Sequence, residues 1–325
     1  MILTFRTRAL LALLAVSLPL AAAGAAGAAR PADRDPKAGG SFTYALPGDR
    51  VFPEGIAVSG SGQRFYVTST TDGTIFRGLV KGHAAAEVFL PGGQDGRTTA
   101  AGVKVDDGRL FVAGGATGTI FVYDVRSRTL LRRYETGTGG FLNDVAIAPN
   151  GDAYVTDSKR PFLFRIAADE LRAGAGPSEL QPFLTYPSFQ AAPAFNANGI
   201  VAVDRRTLVY VQSATGRLFR VDLRTQAVQA IDLGGASVTA GDGLVLSGRT
   251  LYVVRNALGV ITRIRLAGDV RSGRVVSETA DPTFRYPTTA APVRGRLLVV
   301  NSQFGRRSVG QPPELPFTVS SIRRP

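Results

Sequence analysis

A cassette of two short apolar runs joined by turn residues recurs along this chain, and it limits the possible folds more than any other feature. Its clearest copy is Phe141–Ser158, FLNDVAIAPNGDAYVTDS. The polar pair Asn143-Asp144 opens an apolar run from Val145 to Ala148. Pro149-Asn150-Gly151 then turns the chain, and Ala153–Thr156 returns as a second strand. Asn-Gly between two such runs predicts a type I′ hairpin, whose two central residues both need positive φ. Further copies open near residues 54, 101, 198, 242 and 288, the last being the weakest. The spacings of 47, 42, 55, 44 and 46 residues each suit one four-stranded propeller blade.

Three strands are clear in each unit, and the connecting stretches supply a fourth: Ala86–Leu90, Leu130–Glu135, Leu180–Leu184, Ala227–Leu233 and Val275–Thr279. The sixth unit ends after its third strand, while Ser41–Leu46 is an unassigned strand at the other end of the chain. The expectation is an all-β, six-bladed β-propeller over 41–325, its ring closed by that N-terminal strand, because closure removes free sheet edges. A five-bladed ring or a pair of β-sandwiches would also give many short strands; six openings favour six blades. The long third interval carries Glu170–Tyr186, rich in Gly and Pro, which reads as a surface loop.

Before the cassettes, Arg6 and Arg8 precede an apolar run from Ala9 to Leu20 and small residues from Ala21 to Ala29. That is the layout of a secretory signal peptide over 1–29, with 30–40 as a flexible lead-in. The apolar run is too short to span a bilayer comfortably, so the reading is a secreted, extracytoplasmic protein without stable membrane insertion, and a retained anchor is the alternative. The absence of Cys rules out disulfides and a lipid-modified Cys. The formal charge of +13 comes almost wholly from scattered Arg without a long basic block, which argues for a solvated surface and against nucleic-acid binding. The chain is expected to act as a monomer.

In a propeller the innermost strands begin near one end of a central channel, so residues opening different cassettes meet in space. Here those are Glu54, Asn143, Asn198 and Asp242. Two carboxylates and two amides suit a hard divalent cation, with calcium (Ca2+) fitting best. With no Cys and a single His, a zinc site of Cys/His type is excluded. Asn and Asp also form turns with their side chains, which is the plainer account of Asn-Gly and Asp-Gly pairs. Glu54 resists that account, since a carboxylate at a strand start has no turn role. Asn196 competes with Asn198 as the fourth-blade donor; Asn198 is preferred because Asn198-Gly199 opens its strand as Asp242-Gly243 does. His83 lies between strands and reads as a loop residue, which leaves a Ser–His–Asp hydrolase without a base.

Pro53-Glu54-Gly55, Asn143-Asp144, Asn198-Gly199 and Asp242-Gly243 resemble the metal-binding positions of the senescence marker protein/gluconolactonase/luciferin-regenerating-enzyme-like family, the regucalcin-like propellers. The resemblance covers most of the chain after the leader and implies ligands from the first, third, fourth and fifth blades only. It implies a divalent metal and hydrolysis of lactones or phosphate esters, with Asp242 as the catalytic carboxylate, Glu54 as the second charged ligand, and Asn143 and Asn198 orienting the ion. Asp144 would support the ligands from behind. Where sugar lactonases of the family carry an Arg two residues before the third-blade Asn, this chain has Phe141, so an apolar or aromatic ester or lactone is the expected small-molecule substrate. The competing reading is a non-catalytic propeller similar to NHL repeats (P-x-G-I-A-V), using the fold for binding with a structural or vestigial ion.

Overall fold

The computed structural model describes residues 40–172, 177–187 and 195–325; the expected signal peptide and all of the lead-in but Gly40 lie outside them. Six antiparallel sheets correspond to the six cassettes. From the inside out, blade 1 is Pro53–Val58, Arg64–Ser69, Ile75–Leu79 and Glu87–Leu90. Blade 2 is Val103–Asp106, Arg109–Ala113, Thr119–Asp124 and Leu130–Glu135. Blade 3 is Leu142–Ile147, Ala153–Asp157, Phe162–Ile166 and Pro182–Thr185. Blade 4 is Ala197–Ala202, Thr207–Gln212, Arg217–Asp222 and Val228–Ala230. Blade 5 is Gly241–Ser247, Thr250–Arg255, Val260–Leu266 and Gly273–Ala280. Blade 6 is Pro287–Val293, Arg296–Asn301, Phe317–Arg323 and, outermost, Phe42–Leu46, which pairs from Phe42↔Ser321 to Leu46↔Phe317.

Side chains alternate across each strand, so every blade feeds two cores, one shared with each neighbour. Phe65 and Val67 pack towards blade 6, while Tyr66 between them packs towards blade 2. Six such clusters, one per blade interface, hold the ring. Middle strands buried on both faces read as continuous apolar runs, Leu208–Val211 and Leu297–Val300 being examples.

Two expectations need correction. The stretch Glu170–Tyr186 is not a plain surface loop. Pro177–Glu179 lies parallel to Leu130–Glu135 as an unforeseen fifth strand of blade 2, while the fourth strand expected at Leu180–Leu184 is present as Pro182–Thr185, outermost in blade 3. The Asn150-Gly151 hairpin is not type I′ either. Gly151 has φ 86°, but Asn150 is not in the left-handed region. The Gly151 N–H donates to Ala148 O at 2.8 Å and the Ala148 N–H to Asp152 O at 2.9 Å. Pro149 fixes a negative φ at the first central position, which gives a type I turn closed by a left-handed glycine.

The six inner strands run side by side, like residue beside like residue. A cross-blade bond marks nearly every step round the ring. Thr288 Oγ1 donates to Glu54 O (2.8 Å), Thr68 Oγ1 to Ala101 O (2.6 Å), the Gly102 N–H to Asn143 O (2.6 Å), and Thr156 Oγ1 to Asn198 O (2.7 Å). Five of the inner strands share a register break at the same two residues, 54–55, 143–144, 198–199, 242–243 and 288–289. Such a bulge leaves two residues facing one and re-aims a side chain. In each case the first bulged residue is the opening residue of its cassette.

Candidate metal centre at the channel

The bulges place Glu54, Asn143, Asn198 and Asp242 at one level of the channel. All four are buried, between 4% and 7% exposed. Glu54 senses the charge of Asp242, and both carboxyls sense Asp144. Asn143 and Asn198 have matching surroundings. The Asn143 Nδ2 donates to Ser158 Oγ at 2.9 Å, and Ser158 Oγ donates onward to Ala197 O at 2.7 Å. One blade on, Asn198 Nδ2 donates to Ser213 Oγ at 3.0 Å, and that hydroxyl donates to Gly241 O. A serine hydroxyl has one proton, already committed to a carbonyl, so it can only accept from the amide. Each asparagine is therefore fixed with its nitrogen on the wall and its oxygen turned away from it.

Those oxygens have no partner. Asn143 Oδ1, Asn198 Oδ1 and Glu54 Oε2 are buried without any hydrogen bond, as is Thr289 Oγ1 at the sixth bulge. Buried acceptors left unpaired are uncommon, and each costs roughly 1–3 kcal/mol. Three of them, acceptors only and from three blades at one level, fit a cation bound by oxygen. Asp242 is held from the wall by the Asn256 Nδ2, 2.7 Å from its Oδ2. Among the described residues no group of three or more His, Cys, Asp or Glu could hold a metal, so the fit rests on this mixed carboxylate–amide set.

The carboxylates are strained electrostatically. Burial, then the charges of Asp242 and Asp144, pushes Glu54 well above the ordinary glutamate range, against the pull of Lys104. Burial pushes Asp242 up to about 7; the Asn256 bond opposes it, Asp144 adds to it, and the Asn198 amide opposes it. A dication between them would remove the cause, because an opposite charge favours the ionised form.

The second bulged residue explains the glycines. Gly199 and Gly243 are not in the left-handed region, so they are not turn residues. A Cβ on Gly199 would stand 2.2 Å from Asp242 O, one on Gly243 2.0 Å from Thr289 Oγ1, and one on Gly55 2.3 Å from Ala101 O. Glycine is needed because neighbouring inner strands approach so closely. Asp144 and Thr289 are the two side chains at this level. Asp144 accepts the Val145 and Ile200 N–H groups and faces Lys104 Nζ at 3.4 Å. Asn196 is in the wall, where Gln212 Nε2 donates to its Oδ1 at 3.3 Å. Phe141 stands edge-on to Phe195, ring centroids 5.1 Å apart, with Phe195 42% exposed. Ser158, Ser213 and Asn256 were not anticipated from sequence. Their signal is a small polar residue just past each second strand, in T-D-S, V-Q-S and V-R-N.

No protein-family model matches the chain, and no curated protein matches its sequence. Solved structures match its fold across most of its length. The calcium-binding protein regucalcin from Agrobacterium tumefaciens is 16% identical, with a TM-score of 0.60 over 87% of this chain and 97% of that one. Virginiamycin B lyase from Staphylococcus aureus is 10% identical, with a TM-score of 0.58 over 88% and 99%. The major allergen Mala s 1 of Malassezia sympodialis is 12% identical, with a TM-score of 0.63 over 87% and 95%. At these identities the likeness concerns the fold alone: this chain is a six-bladed propeller whose fold is similar to those of regucalcin and virginiamycin B lyase.

Proposed function

We propose that the chain is an exported, divalent-cation-dependent hydrolase of lactones or (phospho)esters, with Glu54, Asn143, Asn198 and Asp242 holding the ion, calcium by preference. The observation that carries this reading is the set of unpaired buried oxygens on Glu54, Asn143 and Asn198. When bound, the ion supplies Lewis acidity, polarising a carbonyl or phosphoryl oxygen. Asp242 acts as the nucleophile or as the base that takes a proton from water, held in place by Asn256. Ser158 and Ser213 keep the amide oxygens of Asn143 and Asn198 pointed inward. Phe141 and Phe195 offer an aromatic surface beside the third- and fourth-blade openings, which favours an apolar or aryl substrate.

A histidine-dependent reaction has no support. A second structure of the lyase is a catalytically inactive His-to-Ala variant with quinupristin. The one histidine here, His83, packs at a tilt against Phe42 of the outermost blade-6 strand, ring centroids 4.0 Å apart. The test is turnover of aryl esters, lactones and phosphotriesters by protein stripped with EDTA and then reloaded with calcium. Asp242→Asn should lose on the order of a hundredfold or more in rate, out of proportion to any loss of bound metal. If rate simply tracks occupancy, Asp242 is only a ligand. If the calcium-loaded protein turns over none of them, a binding propeller replaces the enzyme.

A further inference from the structure

The far end of the channel, away from Glu54, opens into a cavity of about 440 Å3. That is within the range of small-molecule sites. Val58, Val201, Leu246 and Val293 give it apolar walls, and two cations interrupt them, Lys104 and Arg294. Lys104 occupies the level at which the other inner strands carry Ala57, Ala146, Val201, Val245 and Ala291. Only blade 2 puts a charge there.

Lys104 is not needed to satisfy Asp144. The Asp144 Oδ1 already accepts the Val145 N–H at 2.8 Å and its Oδ2 the Ile200 N–H at 3.3 Å. The contact to Lys104 Nζ is a long 3.4 Å, and the lysine side chain is 25% exposed. An ammonium has three donors, so two remain for a ligand. Arg294 is exposed on the hairpin between the first two strands of blade 6, its Nε 3.9 Å from where a Cβ on Gly62 would stand, which sets it at the rim. The neighbouring hairpins add Arg205, Arg206 and Arg249 against Asp107 and Asp204, while Asp152 is paired with Arg165. A cation with free donors at the base of an apolar pocket favours an anion whose other surface is apolar.

We propose that this cavity is a second binding site, for a small monocarboxylate with an apolar body. The carboxylate meets Lys104 Nζ, the body lies along Val58, Val201, Leu246 and Val293, and Arg294 draws the anion to the mouth. None of the four proposed metal ligands lines the cavity, although Lys104 is near enough to Glu54 and Asp144 for its charge to act on both. The probe is 4-fluorobenzoate, titrated into the intact protein by 19F NMR with calcium and again with EDTA. Saturable binding is expected in both, with 4-fluorobenzamide much weaker. Lys104→Met should weaken it on the order of tenfold or more, the worth of a charge-assisted hydrogen bond. Lys104→Arg should retain most of it, and Arg294→Ala should lose several-fold without touching the channel. No saturable binding to the wild type, equal affinity in Lys104→Met, or equal affinity for the neutral amide would each overturn the proposal. So would loss of binding in EDTA, which would place the benzoate at the metal centre.

Discussion

Two buried carboxylates without a cation should make the stripped protein less stable as pH rises, which reverses the usual acid-denaturation trend. Asp242 has a folded-state value of about 7 against 3.8 for an ordinary aspartate. Between those values the unfolded chain has lost the proton that the native chain keeps, so ionisation favours unfolding and stability falls as pH rises. About three pH units at 1.36 kcal/mol each set a ceiling of about 4 kcal/mol, fully developed above pH 7. Glu54 shifts in the same direction, partly because of Asp242. Asp242→Asn removes one titration and relieves the other. The assay is thermal melting of both proteins in EDTA from pH 4 to pH 8. The wild type should lose ground to Asp242→Asn across this range by on the order of 10 °C, taking about 2–4 °C per kcal/mol for a domain approaching this size. Saturating calcium should reverse the order at pH 8, because a ligand that binds only the native state stabilises it. Parallel pH curves for the two proteins in EDTA would refute the reasoning.

The blade count was legible because each cassette must build a sheet buried on both faces, which writes the same short apolar runs six times. The same regularity located Glu54, Asn143, Asn198 and Asp242 at equivalent positions. What the residues following them do was not legible. Asn-Gly and Asp-Gly look alike whether glycine serves a positive φ or a close approach, and only the neighbouring blade, some 45 residues away, distinguishes the two. Pro177–Glu179 was hidden for a related reason. It pairs with an edge in blade 2 while belonging in sequence to blade 3, and three residues carry too little periodicity to announce a strand. The serines that orient the amides sit 15 residues beyond them, so their role comes from pairing register and not from local pattern.

Two further outcomes test the ring itself. A chain beginning at Pro47 lacks the outermost strand of blade 6 and the buried Tyr44 and Leu46. At about 1.5–3 kcal/mol for each such side chain, it should melt roughly 10 °C below a chain beginning at Gly40, and equal melting would show the strand to be dispensable. Gly243→Ala probes the inner strands, since its Cβ would stand 2.0 Å from Thr289 Oγ1 and 2.6 Å from Thr289 Cα. Rotating Thr289 relieves the first clash but not the second, so the sixth inner strand has to move. Overpacking of this kind costs about 1–3 kcal/mol. Gly60→Ala, with nothing within 4 Å of its Cβ, should change little. Gly243→Asn decides the cause: a left-handed position tolerates Asn better than Ala, whereas a close approach penalises the larger side chain more. Asn at 243 should therefore melt below Ala, and the reverse order would restore the turn interpretation of the Asp-Gly pair.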